Sequence, residues 1–257
     1  MKPIIDVYTL CWNEQIRLPY FLQLWSQIAR TITIFDNGSS DNSEHIARLY
    51  SNVIWNTKDY DTGGIVHQPT LTSLKNNCWK NSRDADLVFV GDIDEIIFYN
   101  QSGLNNLFSK VDEGFTIFKP HGYHMIPDEI PSHNGQVYDK SNFKLGVYDA
   151  RYSKACLFSP KSIEEINYEH GCHKCNPIGD CKYFLSDDFY LLHYHYLSFN
   201  FMHDRRQQVL KRLGPWAYKH QKRVDNQGRQ QGRIFKNYHE QLDEYNTLLA
   251  KRKKLFQ

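Results

Sequence analysis

Apolar and polar positions alternate along the first hundred residues in a repeating rhythm of strands and helices. The pattern predicts strands over 4–10, 31–35, 53–55 and 87–90, and helices over 18–28, 44–50 and 70–80. Strands that take turns with helices in this way are typical of a mainly parallel sheet with right-handed crossovers. The sequence therefore predicts the α/β fold class.

The pattern becomes less regular after residue 98. Further strands are predicted over 116–120, 151–158 and 190–197, separated by a polar stretch with Pro and Gly over 121–146. Helical spacing resumes at residue 200, with a break at Gly214-Pro215, a loop over 225–228 and a last helix over 238–255. We predict three parts: residues 1–100, residues 101–200, and a C-terminal helical extension over 201–257.

Three carboxylates stand directly after the most apolar of these predicted strands. The run Leu87-Val88-Phe89-Val90-Gly91 is followed by Asp92-Ile93-Asp94-Glu95. Open α/β sheets bind ligands at this edge, and three uncompensated anions beside a core strand are costly unless a cation neutralises them. Hard oxygen ligands at this spacing suit Mg²⁺ or Mn²⁺ holding a diphosphate. A salt-bridged strand end is the alternative interpretation.

Composition is typical of a globular protein, and together with the N-terminal sequence it predicts the cellular compartment. Of 257 residues, 40% are apolar and 14% aromatic, and no apolar stretch approaches the ~20 residues of a membrane span. The N-terminus lacks the pattern of a signal peptide. We therefore expect a soluble cytoplasmic protein, whose six cysteines are free thiols or metal ligands and not a disulfide framework.

Charge is distributed unevenly along the chain. Residues 205–257 hold 14 Lys/Arg and 4 Asp/Glu, whereas residues 1–204 hold the remaining 17 and 25. Within this basic tail, an apolar stripe at helical spacing is formed by Leu242, Tyr245, Leu248 and Leu249. The stripe either docks onto the rest of the protein or makes a peripheral contact with an anionic membrane. Nucleic acid is not an expected partner, because the acidic body would repel phosphates.

A second group of potential ligands lies at His170-Gly171-Cys172-His173-Lys174-Cys175, with Cys181 beyond it. Cys-x₂-Cys with a third cysteine and two histidines could close a tetrahedral zinc site. The usual zinc pattern has two pairs of closely spaced ligands, such as two Cys-x₂-Cys pairs. Here the second pair is replaced by a single cysteine. The alternative is a loop in which His173 faces an active site.

Three motifs together resemble the GT-A glycosyltransferases of the family 2 type. They are Thr9-Leu10-Cys11-Trp12-Asn13-Glu14, Ile34-Phe35-Asp36-Asn37-Gly38-Ser39-Ser40-Asp41 and Val90-Gly91-Asp92-Ile93-Asp94-Glu95. Their order and spacing are similar to that family's strand–Asn-Glu, strand–Asp-Asn-x-Ser-x-Asp and strand–Asp-x-Asp elements. Beyond residue 100 the likeness is limited to Gly171-Cys172-His173 and His193-Tyr194. It implies a GT-A (Rossmann-like) sheet in which residues 1–100 bind a nucleotide sugar and residues 101–200 form the acceptor side.

The resemblance assigns the donor site to the first two loops. Asp36 would accept a hydrogen bond from the uracil N–H, and Thr9, Asn13 and Glu14 would line the nucleoside pocket. The alternative role of Asp36 and Asp41 is turn formation and helix capping. The implied donor is a nucleoside-diphosphate sugar, with UDP as the expected nucleotide.

The resemblance also implies Mn²⁺ or Mg²⁺ as a cofactor. Asp94 would bind the metal and Asp92 the ribose or the metal, whereas Glu95 would orient an arginine or lysine. A further ligand would come from a late histidine; His193, which matches the His-Tyr element, is preferred to His195. Both imidazoles would share one face of a strand over 190–197. A packed or hydrogen-bonded histidine is the ordinary alternative.

The implied reaction is metal-dependent, inverting transfer of the sugar to a hydroxyl of a glycan or lipid-linked glycan. It needs a base for the acceptor proton. The candidates are Asp188 with its neighbour Asp187, Glu169, and His173 as a neutral base; the family's xx-Glu-Asp pattern is absent, and Asp188 is preferred. The alternatives are a metal-dependent phosphohydrolase or nucleotidyltransferase on the same carboxylates, and a zinc-stapled binding module with a basic arm.

Overall fold

The protein is represented by a computed structural model that describes residues 3–99, 103–128, 130, 144–213 and 236–255. The first strands are β1 (Ile5–Cys11), β2 (Thr31–Asp36), β3 (Val53–Asn56), β4 (Leu87–Asp92), β5 (Glu95–Tyr99), β6 (Ile117–Phe118) and β7 (His121–Met125). The later strands are β8 (Leu145–Tyr148), β9 (Leu157–Phe158), β10 (Ile163–Glu165), β11 (Ile178–Gly179), β12 (Tyr183–Phe184), β13 (Phe189–His193) and β14 (Lys253–Lys254). The α-helices are α1 (Leu18–Trp25), α2 (Ser43–Ala47), α3 (Gln68–Asn77), α4 (Gly103–Phe108), α5 (Phe199–Lys211) and α6 (Tyr238–Lys251).

The chain folds into two compact units. The first unit consists of Met1–Asp61, Pro69–Tyr123 and Tyr148–His193, and the second of Thr62–Gln68, His124–Val147 and Tyr194–Gln257. The predicted division at residues 100 and 200 concerns functional halves of one domain, so it stays a prediction.

A seven-stranded sheet in the order β12-β6-β9-β4-β1-β2-β3 forms the centre of the first unit. Four pairs of strands are parallel (β1–β2, β1–β4, β2–β3 and β6–β12), and β9 runs antiparallel to both of its neighbours. The predicted α/β class with a mainly parallel sheet is therefore confirmed. From β1 the chain proceeds outward through β2 and β3, and then crosses to β4 on the other side of β1. Such a switch point opens a crevice at the C-terminal ends of the two strands, where open α/β sheets bind ligands.

Helices cover both faces of this sheet, because successive side chains of a strand point in opposite directions. On one face, Phe21 and Trp25 of α1 pack against Phe89 of β4, with ring centroids 6.2 and 4.7 Å from its ring. On the other face, Val88 and Val90 belong to a buried cluster that includes residues of and after α3. Each fully buried side chain of this kind contributes roughly 1.5–3 kcal/mol. Burial from both sides explains the uninterrupted apolar run at 87–90.

The chain reverses after β4, so Ile93 and Asp94 form a turn between β4 and β5. Glycine is required just before this turn, since a Cβ on Gly91 would lie 2.4 Å from Cζ of Phe89. Strand β5 then pairs antiparallel with β13, with Glu95 opposite His193 and Tyr99 opposite Phe189. This register brings His193 to the turn that contains Asp94.

The second unit contains α5, α6 and the antiparallel pair β8–β14. Ile126, Tyr196 and Met202 form a buried cluster there. The stripe of the last predicted helix packs against this cluster through Tyr245, Leu248 and Leu249. The docking alternative for this stripe is therefore the one that the structure supports, and a membrane contact through it is not supported. Among the described helices, none combines the length and the apolar composition needed to span a bilayer.

Three predicted strands are shorter than expected. Within 116–120, only Ile117–Phe118 is strand. Only Leu157–Phe158 is strand within 151–158, because Ala150–Tyr152 forms a 3₁₀ turn that the Asp149 carboxylate caps through the Arg151 N–H. Strand β13 ends at His193, so the alternation expected over 190–197 does not extend to His195, which belongs to the second unit. The predicted break at Gly214-Pro215 and the loop over 225–228 lie outside the described residues.

Candidate active site

A buried arginine joins the loop after β1 to the turn after β4. Arg17 donates through Nε and Nη2 to the two carboxylate oxygens of Glu14, both at 2.7 Å, and through Nη1 to Oδ2 of Asp94 at 3.0 Å. Burial alone would lower the pKa of Arg17, but the charges of Glu14 and Asp94 outweigh it and raise that pKa. Arg17 therefore stays charged and fixes the orientation of the Asp94 carboxylate.

Two lysines hold the other carboxylates of the cluster. Lys75 of α3 donates to Oδ1 of Asp92 at 2.5 Å, and Lys154 lies 3.7 Å from Oδ2 of Asp92 while it pairs with the buried Glu95. Burial works to raise the pKa of Asp92, but Lys75 and Lys154 outweigh it and hold that pKa below its ordinary value. The expected pairing of Glu95 with a basic residue is confirmed, and Asp92 is a salt-bridged strand end.

The expectation that these anions are uncompensated is therefore wrong. Four carboxylates (Glu14, Asp92, Asp94 and Glu95) meet three cations (Arg17, Lys75 and Lys154) within the first unit. The protein itself supplies most of the neutralisation because buried carboxylates need hydrogen-bonded partners. Among these seven residues, carboxylates outnumber cationic side chains by one.

A stack of rings supports His193 at the edge of this cluster. His193 is buried, and its Nε2 lies 3.3 Å from Oδ2 of Asp94. Tyr152 stacks on the imidazole with ring centroids 4.3 Å apart and an interplanar angle of 22°. His173 meets the same tyrosine edge-on at 5.0 Å. Tyr152 therefore lies between the two histidines and limits the orientation of both.

The donor set fits a divalent cation. Two ligands bound at right angles, each about 2.1 Å from a metal, lie about 3 Å apart. The 3.3 Å between Oδ2 of Asp94 and Nε2 of His193 is close to that separation. Carboxylate oxygen with imidazole nitrogen suits Mn²⁺, and the Arg17 bond to Asp94 is an outer contact that orients a ligand. Asp92 is a poorer ligand, since two lysines already hold it.

The loops after β1 and β2 are held together by their own hydrogen bonds. The Asp36 carboxylate accepts bonds from the N–H groups of Gly38 and Ser39 and from the Ser39 hydroxyl. Asn13, in the left-handed region at φ 52°, accepts a bond from the Ser40 N–H at 2.7 Å. The turn-forming alternative therefore describes the contacts of Asp36, and its predicted bond to a base stays a prediction.

The remaining donor-side candidates are enclosed in the protein. Thr9 is 1% exposed in β1, and its hydroxyl has no hydrogen-bond partner within the described ranges. Glu14 is occupied by Arg17, and its N–H donates to the Ser43 hydroxyl at 2.8 Å. Asp41 accepts bonds from the N–H groups of Gln15 and Ser43, so it connects the loop after β1 to the start of α2. A role of Thr9 and Glu14 toward a nucleoside stays a prediction.

Of the candidate bases, His173 is linked to His193 through Tyr152, whose ring contacts both imidazoles. Asp188 precedes the opposite end of β13, five residues from His193, which corresponds to about 17 Å along a strand. Glu169 is exposed and makes backbone bonds to Cys172 and Lys174. His173 lies against Tyr152, and its Nδ1 is 2.8 Å from the carbonyl oxygen of Arg151.

Cys172, Cys175 and Cys181 are free cysteines. In the part of the chain that the structure describes, no group of three potential ligands includes Cys172, Cys175 or Cys181. Burial raises the pKa of all three thiols. The structure therefore does not support the zinc-stapled module.

Four residues of the site were not predicted: Arg17, Lys75, Tyr152 and Lys154. Two of them carried a signal in the sequence. Lys75 lies four residues after Leu71 on the apolar face of its helix, where a charge is unusual, and Arg17 follows Glu14 at the i,i+3 spacing. Lys154 and Tyr152 carried none, because their partners are distant in sequence.

Comparison with known proteins finds matches among solved structures alone. No protein-family model and no curated protein matches the chain. Similar solved structures include glucosyl-3-phosphoglycerate synthase from Mycobacterium tuberculosis, in complex with Mn²⁺, UDP and glucosyl-3-phosphoglycerate and, separately, with Mn²⁺, UDP-glucose and phosphoglyceric acid. Each is 16% identical, and the match covers 48% of this chain and 44% of the neighbour at a TM-score of 0.29. This chain therefore spans less than half of those proteins, and a likeness of this size carries no inference about activity.

Proposed function

We propose that the protein is a metal-dependent glycosyltransferase. It would move a sugar from a nucleoside-diphosphate donor, with UDP as the expected nucleotide, to a hydroxyl of a glycan acceptor. The main support is the pairing of Asp94 with His193. Their ligand atoms lie 3.3 Å apart beside the C-terminal end of β4, which flanks the switch point of a mainly parallel sheet.

Residues around this pair have roles that follow from their contacts. Arg17 and Tyr152 orient Asp94 and His193, which would hold Mn²⁺ or Mg²⁺. When bound, the metal would neutralise charge on the departing nucleoside diphosphate. Lys75 and Lys154 keep Asp92 ionised, so it would accept hydrogen bonds from hydroxyl groups of the donor. The metal should bind weakly alone, since the protein offers few ligands and the positive charge of Arg17 lies close to them. It should bind more tightly with UDP, because the diphosphate supplies further ligands.

His173 is the proposed base for the acceptor hydroxyl. A carbonyl oxygen only accepts hydrogen bonds, so the contact with Arg151 places the proton of the neutral ring on Nδ1 and leaves Nε2 as an acceptor. Partial burial and the charge of Lys154 lower the pKa of His173, which favours this neutral form. For an inverting reaction, Nε2 would have to face the anomeric carbon from the side opposite the departing diphosphate.

Calorimetric titration of UDP in the presence of Mn²⁺ tests the proposal. We expect Asp94→Asn and His193→Ala to weaken Mn²⁺-dependent UDP binding by at least tenfold, since ligand removal and outer-contact changes commonly cost 10–100-fold in metal affinity. The matched control is Asp112→Asn. Asp112 lines a cavity of about 680 Å³ together with Pro3 and Asp86, at the opposite edge of the sheet, so this variant should bind as the unmodified protein does.

Two results would contradict the proposal. One is UDP binding that does not depend on a divalent cation, and the other is equal binding by the Asp94→Asn and Asp112→Asn variants. The products formed from a panel of UDP-sugars separate the proposed activity from phosphohydrolysis. Release of UDP and free sugar supports sugar transfer to water, whereas release of UMP and sugar phosphate identifies cleavage within the diphosphate.

A further inference from the structure

Four aromatic rings lie in a row on one face of four strands, away from the proposed metal ligands. The row consists of Tyr148, Tyr123, Tyr190 and Phe98, one ring from each of β8, β7, β13 and β5. Neighbouring ring centroids are 5.5, 5.6 and 6.1 Å apart, at interplanar angles of 65°, 65° and 23°. We call these four residues the aromatic row. Each ring keeps part of its surface exposed, and Tyr148 is 51% exposed.

The aromatic row faces away from the proposed metal site. Tyr190 and Phe98 lie opposite each other in the β5–β13 ladder, and so do His193 and Glu95, three residues further along each strand. Side chains an odd number of residues apart in a strand point to opposite faces. The aromatic row therefore belongs to the face opposite His193, and it would be a binding surface separate from the reaction centre.

Polar groups border the aromatic row and suit a ligand rich in hydroxyls. His121 lies 6.0 Å from the Tyr148 ring, and its Nε2 is 3.3 Å from Oδ1 of the fully exposed Asp187. Asp187 also lies near the tyrosine hydroxyls, because its charge contributes to raising the pKa of Tyr123 and Tyr190 beyond the effect of burial. Carboxylate, imidazole and phenol groups beside ring faces can accept and donate hydrogen bonds around a stacked ligand.

We propose that the aromatic row binds a neutral glycan chain. The faces of aromatic rings are negative, so they attract the weakly positive C–H faces of pyranose rings. Neighbouring strands are about 4.8 Å apart, which is close to the length of one sugar residue. Phe98 and Tyr190 are inclined to each other by only 23°, so both can stack on one glycan, whereas Tyr123 is inclined by 65° to each neighbour and does not share their plane. Tyrosine suits this ligand better than leucine or isoleucine would, because its hydroxyl stays hydrated beside the sugar. A purely apolar partner would leave the polar groups of Asp187 and His121 at the border without hydrogen bonds from the ligand.

Binding of maltohexaose, cellohexaose and chitohexaose, measured by saturation-transfer NMR and titration, tests this proposal. At least one hexasaccharide should bind, and Tyr148→Ala should weaken it about five- to tenfold, which is the size of one aromatic contact. Tyr148→Trp should restore binding because it restores a ring face. Tyr183→Ala is the matched control. Tyr183 is 40% exposed on β12, which belongs to the seven-stranded sheet and carries no ring of the aromatic row.

Three outcomes would overturn the proposal. They are no binding of any of the three sugars at millimolar concentration, an equal loss in Tyr148→Ala and Tyr183→Ala, and displacement of the sugar by UDP with Mn²⁺. The last outcome would place the glycan at the proposed metal site. Because the aromatic row does not depend on Asp94 or His193, sugar binding should persist in Asp94→Asn even if the proposed transferase activity is not found.

Discussion

At the residue scale, the arrangement of the site depends most on Arg17. Its guanidinium is 6% exposed and neutralises two carboxylates that are also nearly buried. We expect Arg17→Met to lower the free energy of unfolding by about 3–5 kcal/mol, because it removes the buried cation that bonds both Glu14 and Asp94. Arg17→Lys should restore only part of this loss, since an ammonium group cannot form the two-pronged bond to Glu14. Urea denaturation measures both effects.

A matched control for this prediction is provided by the exposed pair of Arg48 with Glu44. Arg48→Met removes the same groups from an i,i+4 pair on the surface, where such pairs contribute about 0.3–0.5 kcal/mol. Similar losses in the Arg17→Met and Arg48→Met variants would show that the Arg17 network does not hold the site together.

Single residues also show the limit of prediction from sequence. Asp92, Asp94 and His193 could be singled out because they follow apolar runs or match a motif, and the structure places them together. Their partners could not, since the contact of Arg17 with Asp94 joins residues 77 positions apart. The same limit applies to the base. Asp188 stays a prediction, and its separation from His193 depends on the extent and pairing of β13, which no local pattern reveals.

At the element scale, the turn between β4 and β5 is held from α3 by the pair of Lys75 with Asp92. Because the folded-state pKa of Asp92 is depressed, the stability from this pair is present above the ordinary value of 3.8 and is lost as the pH falls through the lower folded-state value. Lys75→Met should therefore raise the pKa of Asp92, since burial then acts with less opposition. A ¹³C NMR titration of the side-chain carboxyl carbons measures this change.

The control for the Lys75 prediction lies just beyond the same helix. Lys80 pairs with Glu165, and both side chains are partly exposed, so Lys80→Met should leave the pKa of Asp92 unchanged. The stability difference between the unmodified protein and Lys75→Met should shrink as the pH falls below 3.8. A difference that stays constant across this range would contradict the assignment.

Strands and helices whose apolar positions repeat clearly along the chain could be predicted from the sequence, and very short strands could not. The strands and helices up to β4 match the expected order because burial on both faces of a parallel sheet leaves long apolar runs. Strands β6, β9, β11 and β12 have two residues each, which is too few for a period to appear. Their positions are set by pairing with distant strands, such as β9 with β4, and not by local pattern.

At the scale of the whole molecule, each compact unit has a core of its own. In the second unit, Met202 of α5 is fully buried beside Ile126 and Tyr196. Met202→Ala should lower the free energy of unfolding by about 2–5 kcal/mol, because it leaves a cavity where α6 packs. Chemical denaturation measures the loss, and Leu49→Ala, at a site 70% exposed, is the control. Equal effects would contradict the assigned core.

The uneven charge of the chain is only partly explained by the structure. In the second unit, Glu244 of α6 accepts bonds from Arg206 and Lys236, so part of the basic charge serves internal packing. Lys222, Arg223, Arg229 and Arg233 lie outside the described residues, and a partner for them stays a prediction. The sequence alone could predict a docked apolar stripe on α6, but not which residues it would meet.

Pulsed electron paramagnetic resonance of bound Mn²⁺ in the presence of UDP tests the central claim most directly. Coordination by His193 together with a diphosphate predicts couplings of the manganese to both ¹⁴N and ³¹P. The ¹⁴N coupling should disappear in His193→Ala and persist in Asp112→Asn. A ³¹P coupling without any ¹⁴N coupling, or a ¹⁴N coupling that survives in His193→Ala, would contradict the proposed metal site.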